Sequence, residues 1–263
     1  MRRYLKLYGM FISQYIKIIM QSKADFIIGF LAFFLIQASG IAFIYLLFSQ
    51  IPDLKGWSFY ELILIYGFAQ IPRGIDHMFM DYIWLLAGHV IVRGEFDKYL
   101  LRPMNPLFQL ISERFQADGA GEVIIGIILF SIGVKNCDVT LNFVNMMALI
   151  IMVLFATLIY TSIKLFFASL AFWIKRSQSI LFMFYNTSSF AKYPIEIYHK
   201  SIRLFITYII PFALTAYIPA SYFLGKNSLM YCLLMTCGIG TITTVIAYMT
   251  WLKGIKAYES VGN

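Results

Sequence analysis

The chain has 263 residues, of which 60% are hydrophobic and only 13% charged, with a mean hydropathy of +0.77. A soluble domain with about 45–50% apolar residues can hide most of them in its core; this chain has too many, so lipid is the solvent for much of its surface. The net charge of +8 does not point to nucleic acid, because the basic residues gather at the ends of apolar runs, as expected beside an anionic leaflet.

Only helices and closed barrels satisfy the backbone in lipid. Long unbroken apolar runs leave helices as the answer. Residues 1–22 read as an interfacial helix: Leu5, Tyr8, Ile12, Tyr15, Ile16 and Ile19 share one face, while Arg2, Lys6, Ser13 and Lys17 lie toward another. The plainer alternative is a polar-tipped extension of the first span. No compact apolar region with a small-residue cleavage site marks a signal peptide. The first span is predicted from about Phe26 to Phe48, followed by a turn from Ile51 to Trp57. A second span runs from Phe59 to about Phe79, its helix continuing toward Val92.

Residues 93–106 form the most polar segment. A third helix is predicted through Ile111, Phe115 and Ile124 to Ile132, its first half at the interface because of Glu113, Arg114 and Asp118. The fourth span, Leu141 to Trp173, exceeds one crossing and must tilt or project. A shorter apolar run ends at Ala191 and is followed by Lys192, Glu196, His199, Lys200 and Arg203. Leu204 to Leu224 is apolar but interrupted by Pro211 and Pro219, and the last span covers Leu229 to Trp251. Basic residues place both termini on the cytoplasmic side. Two readings of the fifth crossing stand at this point. Counting positive charges mildly favours a crossing at Leu204–Leu224; the two prolines favour the run ending at Ala191, with the later stretch dipping in and out. Cys137, Cys232 and Cys237 form neither a disulfide framework nor a metal spacing.

The segment Gly94-Glu-Phe-Asp-Lys-Tyr-Leu-Leu-Arg-Pro103 resembles the G-x-x-D-x-x-L-L-R-P segment between spans two and three of ABC-2 type permeases. Phe190-Ala-Lys-Tyr-Pro-Ile-Glu-Ile-Tyr198, Ile209-Ile-Pro-Phe212 and Tyr217-Ile-Pro-Ala-Ser-Tyr-Phe-Leu-Gly225 are similar to the segment after span five of that family. The resemblance covers nearly the whole chain as a single transmembrane domain. It implies an all-α membrane protein of about six transmembrane helices, with the N-terminal interfacial helix and a re-entrant helical hairpin at 192–225, marked by Pro194, Pro211 and Pro219, before the last span. A basic patch on the outer side departs from the pattern.

The resemblance further implies an export permease of the cell (inner) membrane. Such permeases pair with a second permease chain, identical or related, beside a separate ABC ATPase subunit. This sequence has no G-x-x-x-x-G-K-[ST] loop, so no cofactor is expected on the chain itself, and ATP and Mg belong to the partner. The 93–106 loop is the expected coupling element, with Glu95, Phe96, Asp97, Lys98, Tyr99, Arg102 and Pro103 facing the ATPase. Its plainer reading is a solvated connection.

Arg73, Asp76, His77 and Asp81 are spaced along one helical face. Either they form a polar seam near the inner mouth of the translocation path, or Arg73 pairs with Asp76 and the others sit among headgroups. Glu122 joins the candidates for the path, and its expected use is pairing with Lys164 of the fourth span. No metal site is expected. An ion-gradient-driven secondary transporter is the alternative function; it calls for inverted repeats, and the sequence shows no convincing one. An intramembrane enzyme would need a constellation such as H-E-x-x-H, which is lacking. The substrate stays open among lipid, drug-like cation, peptide and glycan.

Overall fold

A computed structural model describes residues 2–21 and 23–260, with side chains described for part of the first 33. Helices α1 (Arg2–Gln21) and α2 (Lys23–Gln50) occupy the first two predicted segments. The side chains of Arg2, Leu5, Lys6, Tyr15 and Ile19 lie outside the described residues. Ser13 and Lys17 are exposed, and Tyr8 packs against Phe79 and Phe108 with ring centroids 6.3 Å away in each case. The turn after α2 closes on Asp53, whose Oδ1 accepts the Gly56 N–H at 2.7 Å.

Helix α3 (Phe59–Met80) begins with a capping box: the Ser58 hydroxyl accepts from the Glu61 N–H, and the Glu61 carboxylate accepts from the Ser58 N–H. Helices α4 (Gly119–Asn136), α5 (Phe143–Ser169), α6 (Gln178–Asn186) and α7 (Leu229–Ala257) follow. Among the described residues, three stretches are long and apolar enough to cross a membrane: Gly119–Asn136, Phe143–Ile174 and Leu229–Ala257. No strand forms there beyond an isolated bridge between Leu54 and Trp57. The protein is therefore an all-helical membrane protein.

Helix α3 is the buried centre, from Leu62 to Pro72 without a break. It packs on α4 backbone to backbone. A Cβ on Gly67 would lie 2.3 Å from the Phe130 nitrogen, and one on Gly133 would lie 2.5 Å from the Leu64 Cβ. Gly74 faces Gly119, and Gly126 faces Gly67 and Ile71 in the same way. Lipid tails are as apolar as leucine, so helices gain little from hiding apolar surface in a bilayer; small residues let them gain van der Waals contact instead.

Two predicted elements differ from the observed ones. The α3 helix does not continue to Val92; it ends at Met80, followed by a short turn (Ile83–Leu85) and a wider π-helical turn (Leu86–Val90). That break lets the Ala87 carbonyl accept the Ser177 N–H at 2.9 Å. The third predicted helix is split into Pro106–Ser112 and α4. Between them the Gln116 N–H bonds outward to the Met78 carbonyl at 3.0 Å, which anchors the connection to the end of α3. The 204–224 stretch is broken into short pieces: Lys200–Leu204 leads into a π turn at Phe205–Ile209, followed by a 3₁₀ turn at Phe212–Thr215 and a short helix at Tyr217–Phe223. Pro211 sits at the break before the 3₁₀ turn, and Phe212 to Ser221 are all buried. At about 1.5 Å per residue none of these pieces is long enough to cross a bilayer alone.

The α3–α4 contact gives a direct test. Gly67→Val places a side chain against backbone that cannot move aside, and overpacking of this kind costs about 1–3 kcal/mol. Gly238, with nothing within 4 Å, is the control. Thermal unfolding of the solubilised protein should drop clearly for Gly67→Val and stay unchanged for Gly238→Ala.

Candidate functional site

The second half of α3 carries the polar set expected from the sequence, but its members turn to two different neighbours. Arg73 and His77 meet α4: Arg73 Nε lies 3.7 Å from Glu122 Oε2, and His77 Nδ1 lies 3.2 Å from Glu122 Oε1. His77 Nε2 also lies 3.8 Å from Asp118. Asp76 and Asp81 meet α5: Lys164 Nζ is 2.7 Å from Asp76 Oδ2 and 3.4 Å from Asp81 Oδ1. A stripe of residues three and four apart is wide enough to straddle the groove between two packed helices, so one face serves both partners. Glu122 thus pairs with Arg73 and His77 rather than with Lys164, and Arg73 does not pair with Asp76.

The Lys164–Asp76 pair is completely buried, with both side chains 0% exposed. Its charges are compensated by more than each other. Thr161 Oγ1 donates to Asp76 Oδ1 at 2.8 Å, and the Tyr185 hydroxyl donates to Asp76 Oδ2 at 3.2 Å. The ammonium also lies 5.5 Å from the centre of the Tyr185 ring. This network joins α3, α5 and α6.

Beside the Arg73–Glu122 contact a cavity of about 480 Å³ opens between α2, α3, α4 and the 3₁₀ turn Thr187–Lys192. Gln37, Tyr66, His77, Asp118 and Lys192 share its wall with Arg73 and Glu122. The Tyr66 hydroxyl donates to Gln37 Oε1 at 2.8 Å, and Gln70 Nε2 donates to the same oxygen at 2.7 Å. A smaller cavity of about 230 Å³ shares Arg73, His77 and Glu122 and reaches Asp81, Trp84 and Tyr185. The structure thus brings the five path candidates, Arg73, Asp76, His77, Asp81 and Glu122, into one neighbourhood, with Asp76 spent in the buried network. Gln37 and Lys192 were missed by the sequence reading. A lone glutamine inside an apolar span was the available signal for Gln37; Lys192 looked like one more charge at the end of a run.

The 93–106 segment is a folded loop. Gly94 adopts φ 67°, a left-handed conformation that suits glycine. Lys98 bonds Glu113 at 2.9 Å and lies 3.9 Å from Glu95. The Tyr99 hydroxyl donates to Glu113, and burial and then this carboxylate push the phenol well above its usual range. Gln109 Nε2 donates to the carbonyls of Tyr99 and Met104, and Ser260 donates to Asp97 at 2.5 Å. One expectation is overturned here. Phe96 and Tyr99 do not face outward; both are fully buried, and Phe96 packs edge-on against Phe172, Trp251 and Tyr258. The short helix Asp97–Leu100 turns these two rings inward together, three residues apart. The exposed apolar residues of the loop are Leu100 and Leu101, the latter 85% exposed, beside exposed Arg102 and Pro103. Pro194, Pro211 and Pro219 lie apart from this loop, each at or within one of the short turns of 192–225.

The fold and site define a multi-helix membrane protein with a charged, cavity-lined centre and a structured polar loop. The family model described as ABC-2 family transporter protein matches residues 8–262. The chain belongs to that family, which makes it a membrane permease component of an ABC transporter. None of the curated proteins compared with it matches.

The buried ion network has a measurable signature. Lys164→Met strands Asp76 without its cation, and breaking one side of a buried pair costs about 3–5 kcal/mol. Lys164→Met combined with Asp76→Leu removes both charges and should recover a large part of that loss. Unfolding temperatures of the two variants against the parent check the order.

Proposed function

We propose that this chain is the membrane-spanning half of an ABC exporter. It lies in the cell (inner) membrane with six crossings and both termini cytoplasmic. Residues 1–22 rest on the inner leaflet, 93–106 form the coupling loop, and 192–225 re-enter from the outer side. The fifth crossing is α6 with its 3₁₀ continuation. A separate ABC ATPase binds ATP and Mg, while this chain holds no cofactor. A second permease chain completes the path. Substrate enters from the cytoplasm or the inner leaflet, meets the Arg73–His77–Glu122 cavity and leaves outward when the ATPase closes.

The observation that carries this reading is the build of the coupling loop. A connection that merely joins two helices needs no core of its own. This one anchors Phe96 on α7 through Trp251, ties Asp97 to Ser260 and locks Lys98 and Tyr99 to Glu113. A loop held so firmly moves with the helices beneath it, which is what transmitting force from an ATPase requires. Its tip presents Leu101, Arg102 and Pro103. Apolar anchors supply most interface energy, so Leu101 is the main contact, and Arg102 sets orientation. The short shared helices of 192–225 and the two prolines support re-entry rather than crossing.

Two variants separate contact from support. Leu101→Glu with Arg102→Glu should leave thermal stability unchanged, while co-purification of the ATPase and ATP-driven transport in vesicles are both lost. Phe96→Ala should instead lower stability by about 3–5 kcal/mol, the usual cost of emptying a buried aromatic site. Full ATPase binding and transport by the Leu101→Glu, Arg102→Glu variant would make the loop a plain connection.

A further inference from the structure

The cations around the larger cavity are less closely paired than Lys164, which has two carboxylates to itself. Both of the cavity's carboxylates have cation partners: Glu122 meets Arg73 and His77, and Asp118 meets His77. The reverse is not true. Lys192 lines the cavity, yet among the described residues its ammonium meets no carboxylate; its contact is the Tyr66 ring, 5.0 Å away at the centroid. Arg73 Nε lies 3.7 Å from Glu122, beyond a hydrogen bond, and among the described residues its guanidinium donates no hydrogen bond to another side chain. Two basic heads from different elements therefore line one space with unspent donors, beside Glu122 on the same wall.

A lone cation at membrane depth is costly, and such groups face a partner or a water-filled cavity. A tyrosine face offers part of a partner: it attracts the ammonium but accepts no strong hydrogen bond. Glu122 is 5% exposed and sits against Arg73 and His77. It holds the guanidinium near the cavity wall rather than filling the space. Apolar and aromatic residues share the rest of the wall with Gln37 and Ser189: Ile36, Tyr66 and Tyr193 here, with Trp84 and Phe182 in the adjoining cavity. A volume of about 480 Å³ admits a group of drug or lipid-headgroup size.

The geometry points to an amphipathic oxyanion as the ligand of this cavity, with its phosphate or carboxylate head bridging Lys192 and Arg73 and its apolar part along the aromatic wall. This deepens, and rests on, the reading of the cavity as the translocation path. Arginine and lysine together suit such a head, because guanidinium offers a planar fork and ammonium a compact charge. A cationic ligand would compete with Arg73 and His77 for Glu122 and would bring a further positive charge beside Lys192.

Equilibrium binding of radiolabelled dodecyl phosphate to the full chain in an uncharged maltoside detergent tests this. The parent protein should bind it; inorganic phosphate should compete only weakly, and dodecyltrimethylammonium, with the same tail, should not compete. Lys192→Gln should raise the dissociation constant about tenfold or more, the usual value of a hydrogen bond to a charged group, and Lys192→Arg should restore it. Equal binding by Lys192→Gln overturns the proposal. So does displacement by dodecyltrimethylammonium, an outcome read on the parent protein and independent of how any variant folds. Inorganic phosphate competing as well as dodecyl phosphate would replace the amphipathic ligand with a free oxyanion and overturn that part. The measurement needs neither ATP nor ATPase: binding without ATP-driven movement in vesicles supports the site while removing the path.

Discussion

The backbones of α3 and α4 touch because glycine stands at the crossing points between them. Gly67 and Gly74 on one helix and Gly119, Gly126 and Gly133 on the other leave no room for a Cβ. The spacing on each helix is seven residues, two turns, so the same side faces the partner throughout. That closeness does more than pack the bundle. It brings Glu122, three residues after Gly119, against Arg73 and His77 on the facing helix. A wider separation with larger side chains would leave a carboxylate and a guanidinium apart in lipid, where each is expensive. The small residues and the charged residues are thus one arrangement.

Helix α3 bears its other charges on the opposite side of the same stripe, and α5 answers them. Lys164 and its two aspartates form a closed set, with a threonine and a tyrosine supplying further hydrogen bonds. A buried pair of this kind is weak evidence for stability as such, since apolar residues of equal volume often do as well. What it supplies is orientation: only one rotation of α3 between α4 and α5 satisfies both sides. That rotation also decides what is left to face the cavity. The two charge sets differ in how tightly they close: Lys164 has two carboxylates to itself, while Lys192 lies against the Tyr66 ring.

The 93–106 loop and the 192–225 segment are held from within by aromatic residues and short turns. At the loop, Phe96 sits among Phe172, Trp251 and Tyr258, so the short helix Ala171–Ile174 after α5, the end of α7 and the loop share one cluster. At the far end, Trp57 meets Tyr217 edge-on, and Lys226 lies 3.3 Å over the Trp57 ring while bonding Glu61 at 2.9 Å. Short helices whose backbone groups are only partly paired internally are tolerated at membrane depth when protein surrounds them. Phe212 to Ser221 meet that condition, being buried throughout.

Composition and apolar runs were enough to establish a helical membrane protein, because the bilayer leaves so few ways to satisfy a backbone. The bounds of α5, from Phe143, and α7, from Leu229, were legible from run length and flanking polar residues. The Gly94–Pro103 pattern, together with the segments from Phe190 to Gly225, was enough to reveal the family. Which charge met which was not legible. Arg73, Asp76 and His77 share a stripe in the sequence, and nothing in their spacing says that the stripe straddles two neighbours; Glu122 and Lys164 look equally available to each other until α4 and α5 are placed on either side of α3. Phe96 and Tyr99 read as surface anchors because a polar loop hides its own inward face. Lys192 read as an end-of-run charge because only folding brings it beneath Tyr66. Local pattern determines how a segment satisfies its backbone; which side chains meet depends on helix rotation and separation, and those are decided by contacts between residues far apart in the chain.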